Sequence, residues 1–560
     1  MFNDVNRNEV LDALGGVTFD VLVVGAGVNG AVAASALSRQ GLKVALIDRN
    51  DFGAQCSSNS SGLAWGGIKY LESNEYRLVR RLCKSRNRLV DNFPSQVKEV
   101  RFYTSIQKKF RWPSWFIYLG SVLYWLMGSG YTRFPRLLFK SNIVKEQPIV
   151  DAGKVVGGVE YSDCYLPDGD ARFVFGFVNS AVNNNAVVAN YVEALTSNKN
   201  EVAGLWETSI RDSLLKRTVT VRSRLLINAC GPQVDLFNSV LGLETQYKHK
   251  LSKGVHLIVP RLLEEEKILT FFASDGRLFF MIPFGGRTCI GTTDTIVESP
   301  EVRVSEEDRD FILKNANELL QLEQPLTKDD IISERCGVRP LVVKQGSEQS
   351  GDWFKLSRKH EIHSCDKKNY VCIYGGKLTD CINVGEEILT ICIAHGLLND
   401  EGMEKWYGEP PREERDRFYR LASKSGLNGI ERDSSESIAT RWWRLYGERA
   451  FELLQAVNEN PYLMQRPLPG CPYSQCEFVL MAKYERIQNL EDLLRRRTNI
   501  ELTQAQSILL SHPAMLSIST LVFGEQGATK LEEYRHGLVS RDTKSKAQAN
   551  RRIAKKVVGC

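Results

Sequence analysis

Three hydrophobic rhythms divide this chain. Near the N-terminus VLVV (Val21–Val24) is an unbroken, β-branched apolar run and predicts a buried strand. Ala-rich AVAASALSRQ then predicts a helix closed by Gly41, and KVALID a second strand. The three make a βαβ unit, which requires a parallel sheet. From about residue 250 to 300 the rhythm becomes alternation, and VHLIVP, RLFFMIPF and TCIGTTD predict an antiparallel sheet. From about residue 400 it is helical. SSESIATRWWRLYGERAFELLQAV opens on Ser caps, and CEFVLMAKYERIQNLEDLLRRRT sets an apolar stripe among charges. Strand-like VVANYVEAL, SRLLINACGP and VCIYGGKLT return late, so the first domain is interrupted by insertions.

One apolar stretch, WPSWFIYLGSVLYWLMGSG (Trp112–Gly130), belongs to none of these rhythms. It falls short of the roughly 20 apolar residues that span a bilayer. It reads either as a buried helix of a substrate domain or as a helix lying in the membrane interface. The second reading draws on its Trp and Tyr content and the preceding KKFR. The 560 residues make about three to four domain-sized units. With 43% hydrophobic and 25% charged residues the chain is globular rather than disordered or fibrous. A net charge of +6 is too small to indicate a nucleic-acid partner. Basic clusters at Arg77–Arg88 and in the tail from residue 541 are solvated faces or contacts to anionic headgroups. The 13 cysteines are scattered without CxxC pairs or metal-like spacing, which points to a reducing compartment and no metal site. The N-terminus carries acids and no apolar core, so no secretory signal is expected. The location expected is the cytoplasm, either free or peripheral on the membrane.

Gly25, Gly27 and Gly30 stand in GxGxxG spacing between the first strand and the helix. They allow a tight turn, close approach of a pyrophosphate to the helix N-terminus, and close helix–strand packing. Asp48 ends the second strand, where it can accept hydrogen bonds from a ribose diol and disfavours a 2′-phosphate. The chain then runs straight into a Ser/Gly loop, SSNSSGLAWGGIKYLE (Ser57–Glu72), instead of further alternating strands and helices. A loop of that kind suits the long extended cofactor FAD better than NAD.

The fingerprint and this loop resemble the flavin-dependent glycerol-3-phosphate dehydrogenases, whose related segment reads approximately SSxSSKLIHGGLRYLE. The similarity continues through EYRLVR, EYSDC, DARFV, INACGP, LSKGVHLIVPR, GTTD, CGVRPL, YGGKLT and LRRRT, in order over most of the chain. It implies the D-amino-acid-oxidase-like fold: a discontinuous Rossmann-type FAD-binding domain, an antiparallel β substrate domain and a C-terminal helical domain. On this reading 19–100, 156–240 and 333–398 bind FAD, and 101–155 and 241–332 form the substrate domain. Residues 399–540 are the helical domain and 541–560 a basic tail. Noncovalent FAD is expected against Gly25, Gly27, Gly30, Asp48 and Arg49, against Ser57, Ser58, Leu63, Gly66 and Gly67, and against Val192, Gly231, Gly376, Lys377, Leu378 and Thr379. The reaction implied is oxidation of a phosphorylated polyol at C2, with electrons passed to a membrane quinone or to oxygen.

The departures from the family pattern bear on the substrate. Its loop Lys, His and Arg become Gly62, Trp65 and Lys69, and its GGKLTTYR becomes GGKLTDCI with Asp380. Trp65 offers an N–H donor and an apolar face where a general base would stand. The resemblance leaves Arg339 to hold an anionic substrate, Lys377 to stabilise charge on reduced flavin, and Lys253 and His256 beside them. His256, one of seven histidines, is the replacement base or a core histidine; Asp294 of GTTD is a turn contact or an acid. Two alternatives remain open: the same chemistry on an amine, amino acid or larger hydroxy compound, and a flavin-binding protein without turnover.

Overall fold

The computed structural model describes residues 6–108, 110–264, 266–346, 359–429 and 436–540; the basic tail lies outside them. The chain divides into two compact units. The larger spans Val10–Asp91 and Lys98–Trp406, and the smaller gathers Asn92–Val97 with the chain from Tyr407 onward.

The larger unit holds two sheets. In the first, five parallel strands lie in the order Tyr370–Tyr374, Thr218–Asn228, Thr18–Val24, Val44–Ile47 and Val187–Ala189. Antiparallel Glu361–Cys365 closes one edge. The helix Val28–Arg39 packs on this sheet through an almost wholly buried Ala-rich surface, so small side chains bring helix and strands close.

The second sheet runs Thr295–Val297, Tyr247–Val259, Arg287–Gly291, Leu278–Phe284, Lys267–Phe272, Lys98–Gln107, Val155–Tyr165 and Leu63–Ala64, with Ser333–Lys344 also paired to Tyr247–Val259. It is antiparallel except for Lys267–Phe272 beside Lys98–Gln107. Three segments expected in the nucleotide domain are strands here instead: Leu63–Ala64, Val155–Tyr165 and Ser333–Lys344. The last two carry long backbone ladders that only this sheet can satisfy.

Pairing register sorts the side chains of this sheet by face. Val255, Leu257, Leu269, Phe271, Phe279, Met281 and Ile290 lie on one face in a core with Ile312, Leu313 and Ala316 of the helix Glu306–Leu319. The opposite face carries a row across neighbouring strands: Thr104, Thr270, Phe280, Gly291, His256 and Arg335. Arg339 lies on this face too, its guanidinium over Gly254.

The smaller unit is helical. Trp442, Trp443, Phe418 and Leu453 fill one of its cores, and Phe478, Met481, Leu494 and Met515 another. Arg441 and Glu477 form a buried, two-pronged ion pair (2.7 and 2.9 Å).

Candidate active site

The first sheet ends in a cleft lined by Gly25, Gly27, Asp48, Arg49, Ser57, Val192, Gly231, Gly375, Gly376 and Pro340. Of these, Gly25, Asp48, Val192, Gly231 and Gly375 follow the carboxyl ends of the five parallel strands, a span of about 19 Å at ordinary strand spacing. Gly25 has φ +100°, and a Cβ there would lie 2.5 Å from the Ala229 carbonyl oxygen. A Cβ on Gly30 would lie 1.8 Å from the Gly25 carbonyl oxygen. Asp48 Oδ2 accepts from Ala26 N (2.7 Å) and Oδ1 from Asn50 N (2.8 Å). Burial lifts its carboxyl to about 6 against these two bonds.

The Ser/Gly loop is pinned along its length. Ser57 Oγ accepts from Val28 N (3.0 Å), capping a helix whose own N-cap, Gly27, has no side chain to do so. Ser58 is buried and donates to Gln55 O (3.2 Å). Ser60 N donates to Asp170 (3.1 Å), and Ser60 O accepts from Arg335 (3.2 Å). Leu63 pairs with Tyr165. Gly66 N donates to both carboxylate oxygens of Asp163 (3.2 Å each). Asp163 is fully buried and also holds Arg86 (3.2 Å) and the Tyr124 hydroxyl (2.5 Å). A Cβ on Gly66 would lie 2.2 Å from that hydroxyl, and Gly67, at φ +80°, packs on the Tyr70 ring.

Thr379 Oγ1 donates to Trp65 O (3.2 Å), joining the loop to the Gly375–Asp380 turn. The Lys377 ammonium lies over Tyr70 (4.2 Å) and Trp65 (5.0 Å), a double cation–π contact. Trp65 also meets Phe280 edge-on (6.4 Å). Leu378 and Thr379 form the single turn that leads into the helix Cys381–Ala394. Two residues that no motif pointed to complete this turn. Asn29 Nδ2 donates to Gly375 O (2.9 Å), and His249 Nε2 accepts from Gly375 N (3.0 Å).

On the sheet face, Arg339 donates to Thr293 O (3.1 Å) and Thr292 Oγ1 (2.9 Å) and pairs with Asp294 (3.4 Å), which Ser252 also contacts. Asp294 is thus an orienting partner of Arg339. His256 is buried, and neither ring nitrogen has a hydrogen-bond partner among the described residues. Burial first, then the charges of Arg339 and Arg335, lower it to about 3, so the imidazole is neutral. Lys253 is not part of this group. Strand alternation turns it to the helix face, where its ammonium pairs with Asp308 and reaches Arg303 O.

Comparison with known proteins identifies the family. Residues 20–376 match the family described as FAD dependent oxidoreductase, and residues 402–528 the C-terminal domain of alpha-glycerophosphate oxidase. Glycerol-3-phosphate dehydrogenase of Pseudomonas aeruginosa is 31% identical over 497 residues, 86% of this chain and 92% of the relative. This chain belongs to the FAD-dependent glycerol-3-phosphate dehydrogenase family. The aerobic glycerol-3-phosphate dehydrogenase of Bacillus subtilis is also 31% identical, over 73% of this chain and 72% of its own length. The fold is that of glycerol-3-phosphate dehydrogenase from Bacillus halodurans, solved with FAD, at a TM-score of 0.73 and 23% identity, covering 97% of this chain and 98% of that one.

The residues fit the family's cofactor. A groove crossing five strand ends suits an extended dinucleotide, with Gly25–Gly27 and the Val28–Arg39 helix N-terminus for its pyrophosphate and Asp48 for its ribose. Eight of the sixteen residues expected to bind the cofactor line that groove: Gly25, Gly27, Asp48, Arg49, Ser57, Val192, Gly231 and Gly376. Gly30 sits behind the turn, while Leu63, Gly66, Gly67, Lys377, Leu378 and Thr379 frame the junction of loop and sheet.

Proposed function

We propose that this oxidoreductase converts sn-glycerol 3-phosphate to dihydroxyacetone phosphate. The observation that carries this reading is the placing of Arg339, aimed by Thr292, Thr293 and Asp294, on one sheet face with a neutral His256 whose ring nitrogens have no hydrogen-bond partner among the described residues. When bound, FAD supplies the hydride acceptor. Arg339 offers a planar, permanently charged donor set for the phosphate. His256 accepts the C2 hydroxyl proton; an arriving dianion offsets the two arginine charges that depress its basicity. Lys377, held against Tyr70 and Trp65, places positive charge beside the cofactor turn. Aromatic walls of half-buried Trp65 and buried Phe280 and Phe102 limit water at the reacting carbon.

A quinone is the proposed acceptor, reached at a membrane surface. The helix Ser114–Met127 buries Ser121 and Tyr124 and exposes a stripe of Trp115, Phe116, Leu119, Leu123 and Leu126, each 42–59% exposed, with Trp112 beside it. Such a stripe suits the interface of a bilayer. No helix among the described residues is long and apolar enough to cross one. A second reading, the same chemistry on an amine, amino acid or larger hydroxy compound, is favoured by Trp65 in the place of an imidazole.

Anaerobic titration of the FAD-loaded enzyme tests both. Bleaching of the flavin absorption by glycerol 3-phosphate at sub-millimolar concentration is expected. No bleaching by it, with bleaching by an amine or another alcohol, overturns the substrate assignment. Flotation with anionic and neutral liposomes tests the surface, and binding that survives Leu119→Glu with Trp115→Glu refutes the stripe's role.

A further inference from the structure

Asp380, where the related loop carries a neutral residue, has a partner that no motif accounts for. His360 lies fully buried with Nδ1 3.0 Å from Asp380 Oδ2 and Nε2 3.0 Å from Glu387 Oε1. Arg81, from the helix Tyr76–Asn92, spans the same two carboxylates at 3.2 and 2.8 Å and lies 3.2 Å from His360 Nε2. Ser85 Oγ (2.8 Å) and Asn383 Nδ2 (2.6 Å) complete the shell of Asp380. With His360 protonated the cluster holds two cations and two anions and is neutral. With His360 neutral it carries one uncompensated negative charge, shared between buried Asp380 and half-exposed Glu387.

The cluster stands directly behind the cofactor groove. Gly376 lines that groove, and a Cβ added to it would lie 3.2 Å from His360 Cβ. Asp380 ends the turn that starts at Lys377. Glu387 is 46% exposed, whereas Asp380 is 3% and His360 0% exposed, so Glu387 is the only carboxylate of the cluster open to water. The charged neighbours on the adjoining segments include Lys377, on the turn, and Lys359, which pairs with Glu361. They also include Arg88, which pairs with Glu386 and donates to Asn383, and Glu75 and Arg77, which line one hollow with Arg81 and Lys359.

We propose that His360 is a positioning residue that balances charge at the flavin: it takes a proton from solvent through Glu387 when the bound flavin is reduced and returns it on reoxidation. This rests on the FAD assignment above. The balance is simple. The donor alcohol loses two electrons and two protons; the hydride carries both electrons and one proton to the flavin, and the hydroxyl proton leaves through His256 to water. The flavin thereby gains one negative charge, the proton reaching His360 comes from bulk water, and both charges leave when a quinone or oxygen takes the electrons. Burial alone would lower the imidazole, but Asp380 and Glu387 carry it above its ordinary value, and added negative charge at the groove raises it again. Between its values in the oxidised and reduced enzyme, reduction takes up one extra proton.

The test is the midpoint potential of FAD-loaded enzyme from pH 5.5 to 9, in wild type, His360→Gln and Glu387→Gln, with FAD content and melting temperature recorded for each. One extra proton per two electrons steepens the wild-type line by about 30 mV per pH unit over a limited range. His360→Gln is expected to lose that steeper segment and to sit at a more negative potential at pH 7. Glu387→Gln, which disturbs a half-exposed partner and so threatens folding least, is expected to shift the segment to lower pH. Parallel lines in wild type and His360→Gln overturn the proposal. Should His360→Gln fail to fold, an unmoved segment in Glu387→Gln overturns it instead. Wild-type protein that binds no FAD defeats the cofactor assignment itself, a separate and recognisable failure.

Discussion

The side chains proposed to meet the substrate differ in how openly the sequence declares them. Arg339 is readable because CGVRPL resembles the related enzymes' motif and a guanidinium suits an anion; its aim through Thr292, Thr293 and Asp294 comes from strands far apart in the chain. Arg339→Ala is expected to weaken use of a phosphorylated donor by about 1.5–3 kcal/mol, tenfold or more in kcat/KM, while Arg339→Lys recovers part of it. An unchanged kcat/KM would remove Arg339 from the site. Lys253 teaches the opposite lesson. Its sequence neighbourhood matches as well as that of His256, yet one residue of register puts it on the other face. Its removal strands a buried Asp308, so Lys253→Met is expected to cost about 3–5 kcal/mol of stability and leave turnover per bound flavin unaltered. Calorimetry and flavin-normalised rates separate the two effects. The shared ring contacts of Trp65 and Tyr70 with Lys377 could not be read at all, since cation–π partners carry no spacing signal.

Elements were more legible where function demands a fixed backbone. The βαβ unit, its glycine turn and Asp48 follow from strand, turn and helix patterns that occupy adjacent residues. Gly30→Ala places a methyl group against the Gly25 carbonyl, and the variant is expected to bind FAD at least tenfold more weakly, measurable as flavin retained on gel filtration. Ser57→Ala leaves Val28 N uncapped and is expected to cost about 1 kcal/mol. Pairing partners were harder to foresee. Leu63–Ala64, Val155–Tyr165 and Ser333–Lys344 have strand-like composition, but strand pairing joins residues far apart in the chain, and composition does not name the partner. The helix Ser114–Met127 was recognisable as apolar; its split into a buried Tyr124 edge and an exposed stripe depends on which surface it meets.

For the molecule as a whole, two desolvated histidines contribute to the response to acid. His256 at about 3 and His249 at about 4 both stay neutral when folded, each lowered by burial. The unfolded chain protonates them near 6.5, so it binds more protons than the folded chain below that pH, and stability falls as pH drops. Each contributes up to about 1.4 kcal/mol per pH unit in that window. His360 has the opposite sign: its contribution is complete below 6.5 and fades as pH rises through its raised folded value. His256→Gln is therefore expected to lose less melting temperature than wild type between pH 7.5 and 5. Equal losses would mean that His256 is already protonated in the folded protein.

The Ser114–Met127 helix has two faces with unequal freedom. Outward, its side chains can be exchanged for others of similar greasiness without consequence for the chemistry. Inward, the single Tyr124 hydroxyl shares Asp163 with Arg86 and the Gly66 amide, so it is a foot planted against the back of the cofactor loop. A membrane seated on the outer face, as proposed above, would lean through that foot on the loop at Gly66. Tyr124→Phe takes away the foot and keeps the greasy surface: it should attach to vesicles like wild type, yet its flavin fluorescence should no longer change when it does.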